Sequence, residues 1–296
     1  MELKKLSGNT LFHFTNNINN IVSILKNGFY PRFCFEDGMQ EKEFSQLPDM
    51  IIPMVCFCDM RYTDAINGRH TKDYGYYAIG VTKEWAKSNG ICPVLYSFPK
   101  PINNAKEISE SFTQKSLGLI YNNTENIIDD GKYKEIESNI DSIINGLNML
   151  FFCTKRYEGY LYKNWERKGD LITFYDEREW RYVCFTVETE EKKESIFNVL
   201  SSVLNRANFL YNTNEPIKVL FETGDQLIDK REYIALQNKE FEKQALTMTS
   251  DDIKYIIVHK TSEIQIIKNE IQKINHLKFD FDKIPIFSME NFDDDL

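Results

Sequence analysis

The chain has 296 residues, 42% of them hydrophobic and 27% charged. That composition excludes a disordered, collagen-like or mucin-like polymer. Its 36 Lys and Arg against 45 Asp and Glu leave a net charge of −9, which argues against general nucleic-acid binding because a phosphate surface needs a net positive partner. No run approaches the ~18 apolar residues of a membrane helix. The N-terminus, Met1-Glu2-Leu3-Lys4-Lys5-Leu6-Ser7, lacks the apolar core of a signal peptide, so a cytoplasmic location is expected.

In chain order, Thr10 to Phe14 is an aromatic-rich strand. Thr15 or Asn16 then offers an N-cap to a helix carrying Ile18, Ile21, Val22 and Leu25 at helical spacing. Gly28 is its C-cap and Pro31 prevents its resumption. Ile51 to Cys58 is a strand apolar on both faces, 59–73 a polar helix or loop, and Tyr74 to Val81 a strand with glycines where backbones approach. Thr82 caps a helical turn that ends at Asn89-Gly90, and Pro93 to Ser97 is a short strand. Residues 99–150 are predicted as a mainly helical insertion, with Ile136, Ile140, Ile143 and Ile144 at helical spacing. Lys155 to Lys168 is aromatic and charged, and Glu179 to Phe185 is a strand. Residues 186–296 are predicted as a C-terminal extension: a helix over 196–209, strands at 217–221 and 253–258, a helix capped by Ser262, and an acidic tail from Asn291. Irregular alternation of strands and helices points to a single α+β domain over 1–296.

No phosphate-cradling glycine motif, zincin motif or nucleophile elbow is present. The six cysteines, Cys34, Cys56, Cys58, Cys92, Cys153 and Cys184, sit mostly in apolar runs. They read as free thiols of a reducing compartment, with no second pair or neighbouring His to complete a metal site. His13, between Phe12 and Phe14, is either a core histidine satisfied by backbone or a donor aimed into a cleft. Glu179 is either paired with Arg178 or Arg181, or a carboxylate facing an oxocarbenium-like carbon as in glycoside cleavage. Glu177 would share its face if both lay on one strand. Tyr74, Tyr76 and Tyr77 are either core or a flat wall for a stacked ring.

Together, Leu11-Phe12-His13-Phe14-Thr15, Ile52 to Asp59, Tyr74 to Trp85, Pro93 to Tyr96, Glu179 to Val183 and Asp252 to Val258 resemble the bacterial AbiGi abortive-infection family, the antitoxin component of a phage-resistance pair. More distantly the arrangement resembles the ADP-ribosyltransferase fold, a split, mixed or antiparallel sheet with a His on its first strand and a Glu on a later one. Cys56-Phe57-Cys58 stands where some of those relatives carry a serine-bearing strand. That resemblance implies NAD as substrate, bound by His13, Thr15, Tyr74 and Tyr76, with Glu179 and His13 catalytic and ADP-ribose passed to a macromolecular acceptor. The AbiGi resemblance implies instead a non-catalytic antitoxin that neutralises a partner toxin by protein contact. No metal is expected under either reading.

Overall fold

The computed structural model describes residues 8–36, 50–67, 69–98, 111, 150, 152–163, 166–184, 186–188, 193–195, 241–274 and 284–290. The expected insertion over 99–150 (apart from Ser111 and Leu150, both helical), the helix over 196–209, the strand at 217–221 and the tail from Asn291 lie outside the described residues.

Strand β1 (Thr10–Thr15) leads into helix α1 (Ile18–Asn27). Asn17, rather than Thr15 or Asn16, caps that helix, its side chain accepting from the Asn19 N–H at 2.9 Å. Gly28 closes it at φ +85, as expected of a C-cap. Strands β2 (Arg32–Glu36) and β3 (Met50–Asp59) follow, then two short helices, α2 (Tyr62–Asn67) and α3 (Arg69–Tyr74). Strand β4 (Tyr77–Thr82) starts three residues later than the sequence predicts, because Tyr74 completes α3. The turn between them is made by Gly75 at φ +114. A Cβ there would collide with the Thr15 carbonyl oxygen. Gly75→Ala is therefore expected to cost ~2 kcal/mol or more, from left-handed strain plus a backbone clash, read as a lower urea midpoint at unchanged slope.

Thr82 caps α4 (Lys83–Ser88), accepting from the Trp85 N–H at 3.1 Å. Short strands β5 (Cys92–Pro93), β6 (Leu95–Ser97) and β7 (Thr154–Arg156) come next. The hairpin of β8 (Glu158–Lys163) and β9 (Glu166–Thr173) ends in a 3-10 turn over Phe174–Glu177, after which β10 runs Glu179–Val183. Strands β11 (Thr186–Glu188) and β12 (Lys193–Ser195) pair with each other. Strand β13 (Ile253–Val258), helix α5 (Glu263–Gln272) and strand β14 (Ile286–Ser288) complete the described chain. Ser262 precedes α5 without a side-chain cap bond, against the sequence expectation.

The main sheet has eight strands in the order β14-β13-β4-β1-β3-β10-β5, with β2 also on β3. It is antiparallel except for the β13–β14 pair, so the fold is α+β with a mixed, mostly antiparallel sheet. The strands predicted at 10–14 and 51–58 fall in this one sheet, as their apolar faces require, together with the predicted 179–185 strand as far as Val183; Phe185 lies outside the described residues. One face carries Leu11, Phe57, Ile79, Val81 and Ile256 beneath Ile21 and Leu25 of α1, Trp85 of α4, and Ile267 and Ile271 of α5. The opposite face holds Phe12, Ala78 and Ile257 against Ala65 of α2. Further along the sheet, Ile52, Met54 and Val183 meet Phe152 and Cys153.

Between β1 and β3 the pairing is brief. Only Leu11–Asp59 and Phe12–Cys58 are in register, whereas β1 pairs with β4 along all of Thr10 to Thr15. Beyond Phe12 the two strands part, and His13 Nδ1 reaches the Cys56 carbonyl oxygen at 2.8 Å. A carbonyl can only accept, so Nδ1 carries the proton.

Candidate functional site

Glu179 is the first residue of β10, directly opposite Cys58 of β3, which in turn faces Phe12 of β1. Directly paired residues share a face of the sheet, and neighbours along a strand alternate. Glu179 therefore lies on the face of Phe12, and His13 on the other. The rings agree: His13 packs on Phe29 at 5.1 Å and Phe57 at 5.7 Å between centroids, within the core that α1 and α4 cover. Burial lowers the His13 pKa, and the bond to the Cys56 carbonyl only partly opposes this. The half-buried ring donates its Nδ1 proton to that carbonyl and packs its faces on Phe29 and Phe57.

Around Glu179 the structure builds a charged cluster. Arg181, two residues on and fully buried, donates from Nε to Glu179 Oε1 at 2.6 Å and from Nη2 to Oε2 at 3.1 Å. Its Nη1 donates to the Phe152 carbonyl at 3.0 Å. Lys155 Nζ bridges Glu179 Oε2 and Glu177 Oε2, both at 2.8 Å, and lies 4.3 Å from the centre of the Phe174 ring. Tyr74 donates to Glu177 Oε1 at 2.6 Å, and Tyr96 accepts from the Glu179 backbone N–H at 2.7 Å. Both carboxylates are buried, Glu179 only 4% exposed.

Burial by itself raises the Glu179 pKa. Arg181 and then Lys155 outweigh it, through charge and hydrogen bonds, and hold the carboxyl well below the usual range. A depressed folded-state value stabilises the fold at every pH above the unfolded value of about 4, and that stability is lost as the pH falls through the folded value. Wild type is expected to lose more stability than Glu179→Gln on acidification from about pH 5 to about pH 2, measured by urea melts of both proteins.

Of the residues singled out from the sequence, Tyr74 and Glu179 are brought together through Glu177 and Lys155. His13 is separated from them by the sheet. Thr15, also buried, accepts from Asn20 Nδ2 at 2.7 Å at the start of α1. Tyr76 is half-exposed and stacks on His259 at 4.4 Å. Glu177 does join Glu179, but not by strand alternation, since it ends the 3-10 turn and Arg178 follows in the left-handed region at φ 44. Lys155, which ties the two together, carried no sequence signal beyond its place in an aromatic, charged stretch. Among the described residues no group of three or more His, Cys, Asp or Glu could hold a metal ion. No helix among them is long and apolar enough to cross a membrane.

The family described as "Putative abortive phage resistance protein AbiGi, antitoxin" matches residues 27–259. The chain belongs to the AbiGi family. It is similar to the abortive phage resistance protein AbiGi of Lactococcus lactis subsp. cremoris, with 27% identity over an alignment of 169 positions that covers 52% of this chain. The match spans 61% of that relative's length. No solved structure matches significantly.

Proposed function

We propose that the chain is a non-catalytic antitoxin of a phage-resistance pair, neutralising a partner toxin through direct protein contact. The observation that carries this reading is the state of Glu179. Both of its oxygens are engaged by Arg181 and Lys155, and it is buried. A carboxylate that stabilises a developing positive charge must face that charge, and its effect is weakened when fixed cations already neutralise it. His13 lies on the opposite face of the sheet from Glu179, which favours protein contact over an NAD site shared by the two. The family description supplies the antitoxin role. A run of ring contacts, Tyr96 to Tyr175 at 5.4 Å, Tyr175 to Tyr157 at 5.6 Å and Tyr157 to Phe98 at 5.2 Å, offers a surface for it. Phe98 and Tyr175 are 58% and 54% exposed, and aromatic side chains are enriched at protein interfaces.

The test is co-expression of the full chain with the toxin of its own locus, beside an assay of nicotinamide release from NAD in the presence of lysate. The expected result is restored growth and co-elution with the toxin, both weakened by Tyr175→Ala, and no release of nicotinamide. The ADP-ribosyltransferase reading replaces this one if wild type releases nicotinamide and Glu179→Gln cuts the rate ~100-fold or more while its fold, followed by circular dichroism, is retained.

A further inference from the structure

Five of the six cysteines gather in one region. Cys153 and Cys184 are buried with Ile52, Met54 and Val183, and Cys34, Cys56 and Cys92 pack against them, all as free thiols. Within this group Cys92 Sγ and Cys153 Sγ are 3.5 Å apart. A disulfide needs ~2.05 Å between sulfurs, so closure asks for a movement of about 1.5 Å. The backbone on both sides is already held in place. Cys92 is in register with Arg181 on β10. The Cys153 carbonyl accepts from the Leu95 N–H at 2.8 Å, and Leu95 pairs with Thr154 in the β6–β7 ladder.

We infer that Cys92 and Cys153 form a peroxide-responsive dithiol, a reversible modification site whose disulfide ties β5 to the start of β7. The thiols differ in access, Cys92 being half-buried and Cys153 buried. Burial, then the nearness of Cys92, pushes the Cys153 thiol up to about 12. Cys153 therefore stays protonated and shielded until its neighbour has reacted. In the first step the Cys92 thiolate attacks hydrogen peroxide. An S–O bond forms, the O–O bond breaks, and the departing hydroxide takes up a proton as water. In the second step the Cys153 sulfur attacks the Cys92 sulfenic acid. The S–S bond forms, the S–O bond breaks, and the hydroxyl leaves as water with the Cys153 proton. Two thiols have lost two electrons and one peroxide has become two waters; a dithiol reductant reverses the change by exchange. The bond would close the chain across residues 93–152, beside the Phe152 carbonyl that receives Arg181 Nη1.

The test treats the full chain with graded hydrogen peroxide, blocks remaining thiols, and maps the digest without reduction by mass spectrometry. The expected result is a linked pair of peptides carrying Cys92 and Cys153, lighter by two hydrogens and separated again by dithiothreitol. Oxidised protein should melt higher by ~5 °C, as closure of a long loop restricts the unfolded chain. Cys153→Ser should leave a dimedone-reactive sulfenic acid at Cys92, and Cys92→Ser should form no linked pair. Wild-type protein in which Cys92 is carried to sulfinic acid without a link, or in which the link joins any other pair of the six cysteines, overturns the proposal. The wild-type map decides it even if a variant fails to fold.

Discussion

Replacing Arg181 by methionine is expected to destabilise the chain by ~3–5 kcal/mol, since removing one partner of a buried ion pair leaves the other charge without compensation. Arg181 is fully buried and donates twice to Glu179 and once to the Phe152 carbonyl. Methionine fills much of its volume but satisfies none of these groups. Lys155 remains, but its ammonium is shared between Glu179 and Glu177. Urea denaturation measures the loss. The double variant Arg181→Met with Glu179→Leu removes the stranded charge and should recover much of it, giving a large coupling energy in a double-mutant cycle. Additive losses would mean that the two side chains act independently.

Phe57→Ala is expected to cost a comparable ~3–5 kcal/mol, by loss of burial and by the cavity left behind. Phe57 is fully buried near the C-terminal end of β3, with ring neighbours His13 at 5.7 Å, Phe29 at 5.1 Å and Trp85 at 6.1 Å between centroids. These come from β1, from the segment between α1 and β2, and from α4, so collapse of the surroundings into the void is hindered. Phe57→Leu should lose less than half as much. Equal losses for Leu and Ala would show that edge-to-face ring packing, rather than volume, dominates there.

Much of the fold could be read from local pattern. Helix α1 follows from Ile18, Ile21, Val22 and Leu25, and its end from Gly28, because both signals are local. Strands β1, β3, β10 and β13 are apolar enough to be recognised without neighbours. The start of β4 was not legible. Tyr74 is a good strand residue, but Gly75 at φ +114 ends α3 there instead, and no local propensity reports that φ. The relation of His13 to Glu179 was hidden for a different reason. Which face each residue takes depends on strand register, and one step of register moves a side chain across the sheet. Arg181 stood among the alternatives as a partner of Glu179, since alternate residues on a strand share a face. Lys155 lay 24 residues from Glu179, beyond the reach of any spacing argument.

Synthesis of the chain meets an order problem posed by strand β4. Its partner on one edge, β1, has already left the ribosome, but its partner on the other edge is β13, and Ile253 lies 171 positions beyond Thr82. At roughly 5–20 residues per second, that edge waits on the order of ten to thirty seconds with its amides unpaired. It carries Ala78, Ile79 and Val81, all fully buried in the finished protein, and an open apolar edge recruits other strands. Yield of native protein should therefore depend on how fast the ribosome reaches β13: slower elongation lengthens the exposure, and a truncation ending before Ile253 makes it permanent.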